Sequence, residues 1–184
     1  ICLAAMTHTF ILIAASLSVM SSANGQSPLV PVHRHVQALP VVTAPDKSPL
    51  DIVKLSYERP VIAIRFLGSL CSHCMQQIVR FNERADTLRR YNARVIAFSD
   101  NSIENCAEVT RTYRIDTTVI TIGSDANNAA SRVLGTTISE SDGSTTEVHA
   151  VLVVHRGRVL FEHYAKTPLL SFGEIAEALA APKR

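Results

Sequence analysis

The sequence predicts an α/β domain in which helices cover both faces of a mixed central sheet. Short apolar runs rich in β-branched residues alternate with segments of helical periodicity between residues 61 and 134. Two further apolar runs, residues 148–154 and 158–164, flank a His-Arg-Gly turn and predict a β-hairpin. A last amphipathic segment follows this hairpin. We therefore expect the element order β-β-α-β-α-β-α-β-β-α.

Length and composition limit the kinds of protein that this chain can be. Its 184 residues are enough for one domain with extensions and one sizeable core. The 18 basic and 16 acidic residues nearly balance and are scattered, and aromatic stacking platforms are missing, so we expect no nucleic-acid partner. Four cysteines are too few for a scaffold held together by disulfides.

Residues 1–25 have the features of a signal peptide. The apolar run of residues 10–20 has the length of a signal-peptide core and is too short to span a bilayer. Small residues follow, and cleavage after Ala23 or Gly25 would fit them. No Lys or Arg precedes the run, so an uncleaved anchor or a buried helix is the alternative. We expect a periplasmic or secreted protein whose mature chain has no membrane span.

Residues 26–49 contain five prolines among small, polar and aliphatic residues. This composition favours an extended linker, or an arm lying on the domain, rather than a helix. We place the folded domain at residues 50–184 and expect residues 51–57 to open it as a strand or turn.

The next strands and helices are predicted from the spacing of apolar residues. Buried strands are expected where Val, Ile, Ala and Phe form short runs, at residues 61–67, 94–98 and 119–122. A long helix is expected from Cys71 to about residue 92. Asn101 or Ser102 would cap the following helix. The inner face of that helix is expected to carry Ile103, Cys106, Ala107 and Tyr113.

Capping signals mark the last two helices. Asp125 is expected to cap a helix over residues 126–134, and Gly135 to end it. The polar stretch after this glycine contains an Asp-Gly pair, which predicts a loop or a small hairpin. Ser171, with Glu three residues later, has the pattern of a capping box before the final helix. The inward-facing residues of the final helix are expected to be Ile175, Ala178 and Leu179.

A Cys-x-x-Cys motif, Cys71-Ser-His-Cys74, stands between the first buried strand and the long helix. The unpaired N–H groups and the positive dipole end of a helix stabilise an anion, so Cys71 is placed where a thiolate is favoured. Cys74, one turn into the helix, can close a small disulfide ring with it, and such a pair stores and releases two electrons. Two structural thiols or half of a zinc site are the alternatives, although a zinc site of four cysteines would need a second Cys-x-x-Cys.

The segment from Phe66 to Cys74 resembles the active-site segment of the thioredoxin-like superfamily, with an aromatic residue five positions before the first cysteine. The resemblance covers roughly residues 50–182. It is closest to the redoxin branch, which includes the antioxidant AhpC/TSA peroxiredoxins and the extracytoplasmic thioredoxin-like reductases. It implies a thioredoxin-like fold with an extra strand–helix pair, which we place at residues 117–135. It also implies redox chemistry, with Cys71 as the exposed nucleophile and Cys74 as the more buried resolving thiol.

His73 is the third predicted catalytic residue. Cys-Ser-His-Cys is similar to the Cys-Gly-His-Cys of protein disulfide isomerases. An imidazole beside the thiolate favours the reduced form of the pair and so raises its reduction potential. A solvated surface histidine is the alternative interpretation.

Two departures leave the activity open between disulfide exchange and peroxide reduction. The cis-proline that faces the active site of thioredoxin-type oxidoreductases is missing, and its position falls at or near His149. The peroxiredoxin motif Pro-x-x-x-Thr-x-x-Cys, aligned on Cys74, has Leu67 for Pro and Cys71 for Thr. We expect a thiol–disulfide oxidoreductase, with a thiol-dependent peroxidase as the alternative. The expected partners are protein thiols and disulfides or a small peroxide, together with a redoxin that donates or accepts electrons, and no cofactor is expected.

A copper-binding metallochaperone is the non-enzymatic alternative. Copper-delivery proteins of this superfamily use two cysteines and a histidine before the final hairpin, here Cys71, Cys74 and His149, and such ligands suit copper. Those proteins space their cysteines by three residues rather than two, and a hairpin histidine without a special role is the simpler interpretation. Cys106 is expected to be a core residue, with a resolving thiol as the alternative.

Overall fold

The computed structural model of the chain describes residues 36, 39, 41–139, 141–169 and 171–181. The predicted signal peptide and the first part of the predicted arm lie outside these residues. In chain order the elements are β1 (Val42–Thr43), β2 (Pro49–Leu50), α1 (Ile52–Glu58), β3 (Val61–Arg65), α2 (Ser72–Asn82), α3 (Ala85–Arg90), β4 (Arg94–Ser99), α4 (Ile103–Thr112), β5 (Ile120–Ser124), α5 (Ala129–Leu134), β6 (Thr137–Ser139), β7 (Thr145–Glu147), β8 (His149–His155), β9 (Arg158–Ala165) and α6 (Gly173–Ala180).

Seven strands form one sheet in the order β2-β1-β5-β4-β3-β8-β9. Strands β3, β4 and β5 are parallel, whereas β8 pairs antiparallel with both β3 and β9, and β1 pairs antiparallel with β2 and β5. The predicted mixed sheet and its final hairpin, β8–β9, are therefore confirmed. The polar stretch after Gly135 forms a separate small hairpin, β6–β7.

The central strand β3 separates two apolar clusters, one on each face of the sheet. Ile62 and Ile64 pack with residues of helices α2, α3, α4 and α6, whereas Val61 and Ala63 pack with residues of α1 and α5. Successive side chains of a strand point to opposite faces, so a strand covered by helices on both sides must be apolar throughout. Helices on both faces of the sheet were predicted, and this prediction is confirmed.

The prediction of a strand or turn at residues 51–57 is wrong, because this segment forms helix α1. The Asp51 carboxylate accepts a hydrogen bond from the Lys54 N–H at 2.9 Å and so caps the helix. Ile52 and Ser56, which are four residues apart, are the buried positions of the helix. This spacing matches the helical period, and the helix packs against β3 and β8 in the interior of the sheet.

The long helix predicted after Cys71 is divided into α2 and α3. The backbone leaves the helical path at Arg84, whose N–H donates to the Phe81 carbonyl at 3.0 Å in a tighter turn. Ala85 and Leu88 then bury the second, shorter helix against the core. Each of the two helices thus contributes its own buried residues to the same apolar cluster.

Other predicted helix ends also need correction. The final helix begins at Gly173 with Phe172 at its cap position and no side-chain hydrogen bond there, so the predicted capping box of Ser171 is wrong. Tyr113, predicted on the inner face of α4, is 39% exposed because the helix ends at the preceding residue. The predicted stop of α5 at Gly135 is confirmed, with this glycine in the left-handed conformation at φ 66°.

Part of the predicted arm belongs to the sheet. Strands β1 and β2 form a short antiparallel ribbon whose Thr43 pairs with Ser124 of β5. Val42 is fully buried, and Leu39 is nearly so, which extends the folded unit N-terminal to residue 50. Within the described part of the chain, no helix is long and apolar enough to cross a membrane.

Replacing Gly123 with alanine should destabilise the protein by about 1–3 kcal/mol through overpacking. A Cβ atom at Gly123 would lie 2.5 Å from Cγ1 of Val42 and 3.2 Å from the Thr43 carbonyl oxygen, so the ribbon would have to move. Urea unfolding measures the loss. Gly173→Ala is the matched control, because its new Cβ would approach nothing closer than Ser171 Oγ at 3.7 Å. Equal stability of the two variants would contradict the close packing of the ribbon.

Candidate active site

The Cys-x-x-Cys motif lies at the carboxyl end of β3, where the chain turns into helix α2. The Cys71 N–H donates to the Gly68 carbonyl at 3.2 Å and closes a tight turn. Gly68 has φ +103°, a conformation that other residues rarely adopt, and a Cβ there would lie 3.1 Å from Asn101 Oδ1. The turn is therefore held in one shape and places Cys71 at the helix N-terminus.

Cys71 is the N-cap residue of α2, and its sulfur is joined to Cys74 in a disulfide with a Cα–Cα distance of 5.2 Å. The Cys71 Sγ accepts a hydrogen bond from the Cys74 N–H at 3.3 Å. This N–H is one of those that the first turn of a helix leaves unpaired. After reduction, the same N–H and the helix dipole would stabilise a thiolate at Cys71.

The two sulfur-bearing residues differ sharply in exposure. Cys71 is half-buried at the surface, whereas Cys74 is 0% exposed and belongs to the apolar cluster beneath α2. A partner molecule can therefore reach the Cys71 side of the disulfide and not the Cys74 side. His73, between them, lies in the first turn of α2 and is exposed to solvent.

His149 lies directly against the buried end of the pair. It is the first residue of β8, one position beyond the last pair of the β3–β8 ladder, Arg65 with Ala150. The imidazole is 1% exposed, and its Nδ1 and Nε2 atoms lie 3.9 and 4.0 Å from Cys74 Sγ. The prediction that a position at or near His149 faces the active site agrees with this geometry.

The environment of His149 favours the neutral imidazole. Burial is the main cause that lowers the pKa of His149, and the positive charges of Arg65, His163 and His73 lower it further. A neutral imidazole has a free nitrogen that can accept a hydrogen bond or a proton. His149 is therefore suited to accept the proton of a neighbouring thiol.

Cys71, Cys74 and His149 also bring three possible metal-ligand atoms within 4.8 Å of one another. Two thiolates and an imidazole suit copper, so the residues of the copper alternative are together in space. Metal ligation requires thiolates, however, and in the disulfide neither sulfur is available as one.

The sequence model of the AhpC/TSA family matches residues 37–162. The chain belongs to the AhpC/TSA family. The match confirms the resemblance to the redoxin branch, and it makes the protein a thiol-dependent enzyme, either a peroxidase or an oxidoreductase. Among curated protein sequences, none matches this chain.

Solved structures of low sequence identity share the fold. Peroxidoxin BcpB from Mycobacterium tuberculosis superposes with a TM-score of 0.70 at 16% identity, covering 84% of this chain and 99% of that one. Peroxiredoxin Q from Xanthomonas campestris gives 0.68 at 13%, covering 80% and 97%. Reduced Prx3 from Vibrio vulnificus, in complex with hydrogen peroxide, gives 0.66 at 13%, covering 83% and 98%. These likenesses confirm the predicted thioredoxin-like fold.

Arg65 is a residue of this redoxin site that the sequence analysis did not single out. Its side chain is 0% exposed and donates to Ser131 Oγ at 2.9 Å, to Glu147 Oε2 at 2.6 Å and to the Phe66 carbonyl. These bonds tie β3 to α5 and to β7, and satisfy a buried cation that would otherwise be costly. The sequence feature that could have identified Arg65 is its position as one basic residue inside an otherwise apolar strand.

Cys106 is buried on α4, and its Sγ lies 3.9 Å from the Asn101 carbonyl oxygen. Burial is the main cause that raises the pKa of this thiol, to about 11. At neutral pH such a thiol holds almost no reactive thiolate. The residue therefore fits the predicted role in the core.

The stability of this redoxin should fall as the pH drops below about 6.5, the ordinary pKa of histidine. Because burial lowers the pKa of His149 in the folded protein, the unfolded chain takes up this proton at higher pH than the folded chain. The free energy of unfolding then decreases with decreasing pH. Urea unfolding of the oxidised wild type and of His149→Gln at several pH values measures the effect, which should be smaller in the variant. An equal decrease in both proteins would contradict it.

Proposed function

We propose that the protein catalyses thiol–disulfide exchange through the Cys71–Cys74 pair. The supporting observation is the unequal exposure of the two residues, since only Cys71 is accessible and it caps the positive end of α2. Exchange needs one sulfur that the substrate can reach and a second, less accessible sulfur that resolves the mixed disulfide. This arrangement is the one expected for an attacking and a resolving cysteine.

The reaction would proceed in two displacements. The Cys71 thiolate attacks one sulfur of a substrate disulfide, a mixed disulfide forms, and the other substrate sulfur leaves as a thiolate. Cys74, as a thiolate, then attacks Cys71 Sγ, which restores the Cys71–Cys74 disulfide and releases the second substrate thiolate. The enzyme dithiol loses two electrons and the substrate gains them, and a redoxin partner would return the pair to the dithiol form.

His149 would serve the second displacement. Cys74 is enclosed in the core, so its thiol needs a nearby group to take the proton before it can attack. The neutral imidazole of His149 is in contact with Cys74 Sγ and fits this task. His73, on the exposed side, would act on the Cys71 thiolate and favour the reduced form of the pair, which makes the protein more oxidising.

Thiol-dependent peroxide reduction is the second candidate function, and family membership favours it. The structural relative from Vibrio vulnificus was solved with hydrogen peroxide. In the peroxiredoxin alignment the attacking cysteine would be Cys74. That residue is 0% exposed and is joined to Cys71, so peroxide would have to enter the core to reach it. Exchange is therefore better supported than peroxidase activity.

Copper binding is supported only by the closeness of Cys71, Cys74 and His149. Reduced, the three groups would supply two thiolates and an imidazole to Cu(I). Under oxidising conditions the disulfide removes both thiolate ligands, and this favours redox exchange over metal delivery.

Replacing the two cysteines one at a time should separate the two enzymatic functions. In exchange Cys71 attacks, so Cys71→Ser should abolish disulfide turnover and Cys74→Ser should accumulate mixed disulfides with partners. In a peroxidase Cys74 attacks, so Cys74→Ser would abolish peroxide turnover and Cys71→Ser would leave a sulfenic acid on Cys74. Each variant is treated with peroxide, and the sulfenic acid is trapped and located by mass spectrometry.

Cys106→Ser is the matched control for these variants and should retain full activity, because the Cys106 thiol is buried and its pKa is raised to about 11. Mixed disulfides that form only in Cys74→Ser would support exchange. Rapid sulfenylation confined to Cys74 would overturn it in favour of the peroxidase.

We propose further that the protein is exported, on the basis of the apolar run of residues 10–20. An exchange reaction with protein disulfides also suits an oxidising compartment. The chain recovered outside the cytoplasm should begin near Asn24 or Gln26 when its N-terminus is sequenced. A cytoplasmic protein that retains Met6 would contradict export and would leave the redox chemistry unaffected.

A further inference from the structure

Leu70 is the most exposed of the large hydrophobic side chains described in the structure. Its relative exposure is 101%, and the others lie between 39% and 63%. It directly precedes Cys71, the accessible end of the disulfide. A fully solvated leucine therefore stands beside the sulfur that a substrate must approach.

Folding gives no reason for leucine at this position. Ser69 and Leu70 are the two central residues of the turn that the Cys71 N–H closes on the Gly68 carbonyl. The centre of a tight turn is usually filled by Gly, Asn, Asp, Pro or Ser, which favour its backbone angles or bond to it. Leu70 is fully exposed, so it contributes no burial to the core. Residues that break such local rules without a structural gain tend to mark functional sites.

The chain segment around Leu70 carries no Asp, Glu, Lys or Arg, and the nearest acidic group that packs on its turn is the exposed Asp100, whose Oδ1 would lie 3.9 Å from a Cβ on Gly68. From Phe66 to Val79 the sequence contains none of these residue types. The exposed neighbours of Cys71 on the helix side are Ser72 and His73. A strongly charged partner would find no complementary charge in this segment, whereas an apolar one would find Leu70.

The turn also holds Leu70 in a fixed position relative to the reactive sulfur. Gly68 packs closely against the Asn101 side chain, and Cys71 is locked as the cap of α2. A substrate held by Leu70 is therefore also positioned relative to Cys71. Because the turn is already ordered, little conformational entropy is lost on binding.

We propose that Leu70 is a specificity-determining residue, which docks against an apolar side chain beside the disulfide of a protein or peptide substrate. The inference rests on the exchange function proposed above and names its substrate class. The preferred substrate is a polypeptide disulfide with a hydrophobic residue next to one of its cysteines. A small disulfide that carries no such side chain would react at Cys71 without using Leu70.

The test compares two synthetic disulfide-bonded peptides that differ only in having Leu or Ser beside one cysteine. Wild-type protein, first reduced to the Cys71–Cys74 dithiol, should reduce the Leu peptide in a single turnover with a second-order rate constant about tenfold or more above that for the Ser peptide, as expected for burial of one leucine side chain. Leu70→Ser should remove this preference and leave the rate with hydroxyethyl disulfide within about twofold of wild type. Leu70→Met should retain most of the preference, because its side chain is also long and apolar.

Val133→Ser is the matched control, because Val133 is 57% exposed on α5 and should not affect either peptide. A Leu70→Ser protein that still prefers the Leu peptide, or that loses hydroxyethyl disulfide turnover to the same extent, would overturn the docking role. If the wild type reduces neither peptide nor hydroxyethyl disulfide, the exchange function itself fails, and the inference with it. The small disulfide thus separates failure of the docking role from failure of the redox reaction.

Discussion

The hydrogen bond from the Cys74 N–H to the Cys71 sulfur, 3.3 Å long, connects the chemistry of this protein to its fold. A helix must satisfy the N–H groups of its first turn, and here a cysteine side chain does so in place of the usual Ser, Thr, Asp or Asn. The Cys71 sulfur is thus held in place by a structural requirement of α2. The position of α2 depends on the buried strand β3, because the tight turn that begins at Gly68 connects the end of this strand to the helix.

The two sulfurs of the disulfide lie in different environments. Cys71 is partly exposed and is flanked in the chain by the exposed residues Leu70 and Ser72, whereas Cys74 is buried in the core against His149. Behind His149, the buried guanidinium of Arg65 is held by Ser131 and Glu147, and its charge favours the neutral imidazole. An unpaired buried cation would be costly, so this network stabilises the strand ends and the electrostatics of the site together.

The AhpC/TSA fold by itself does not choose between peroxide and disulfide substrates. Both reactions begin with a thiolate at the N-terminus of the helix that follows β3. The choice depends on which sulfur a substrate can reach. In this chain the cysteine that aligns with the peroxiredoxin nucleophile is enclosed, and the accessible one occupies the place of the peroxiredoxin threonine. Family membership and local geometry therefore favour different reactions, and the geometry concerns the reacting atoms directly.

The sequence by itself determined β3, the Cys-x-x-Cys turn, the β8–β9 hairpin and the stop at Gly135, because each depends on apolar period or turn chemistry within a few residues. It did not determine helix α1, which depends on the Asp51 cap and on packing against the sheet. Nor did it determine the division between α2 and α3. Only the tertiary structure brought His149 to Cys74, 75 residues away, and Arg65 to Ser131 and Glu147, 66 and 82 residues away. Those contacts depend on the register between β3 and β8 and on the packing of α5, which long-range burial sets and no local pattern encodes.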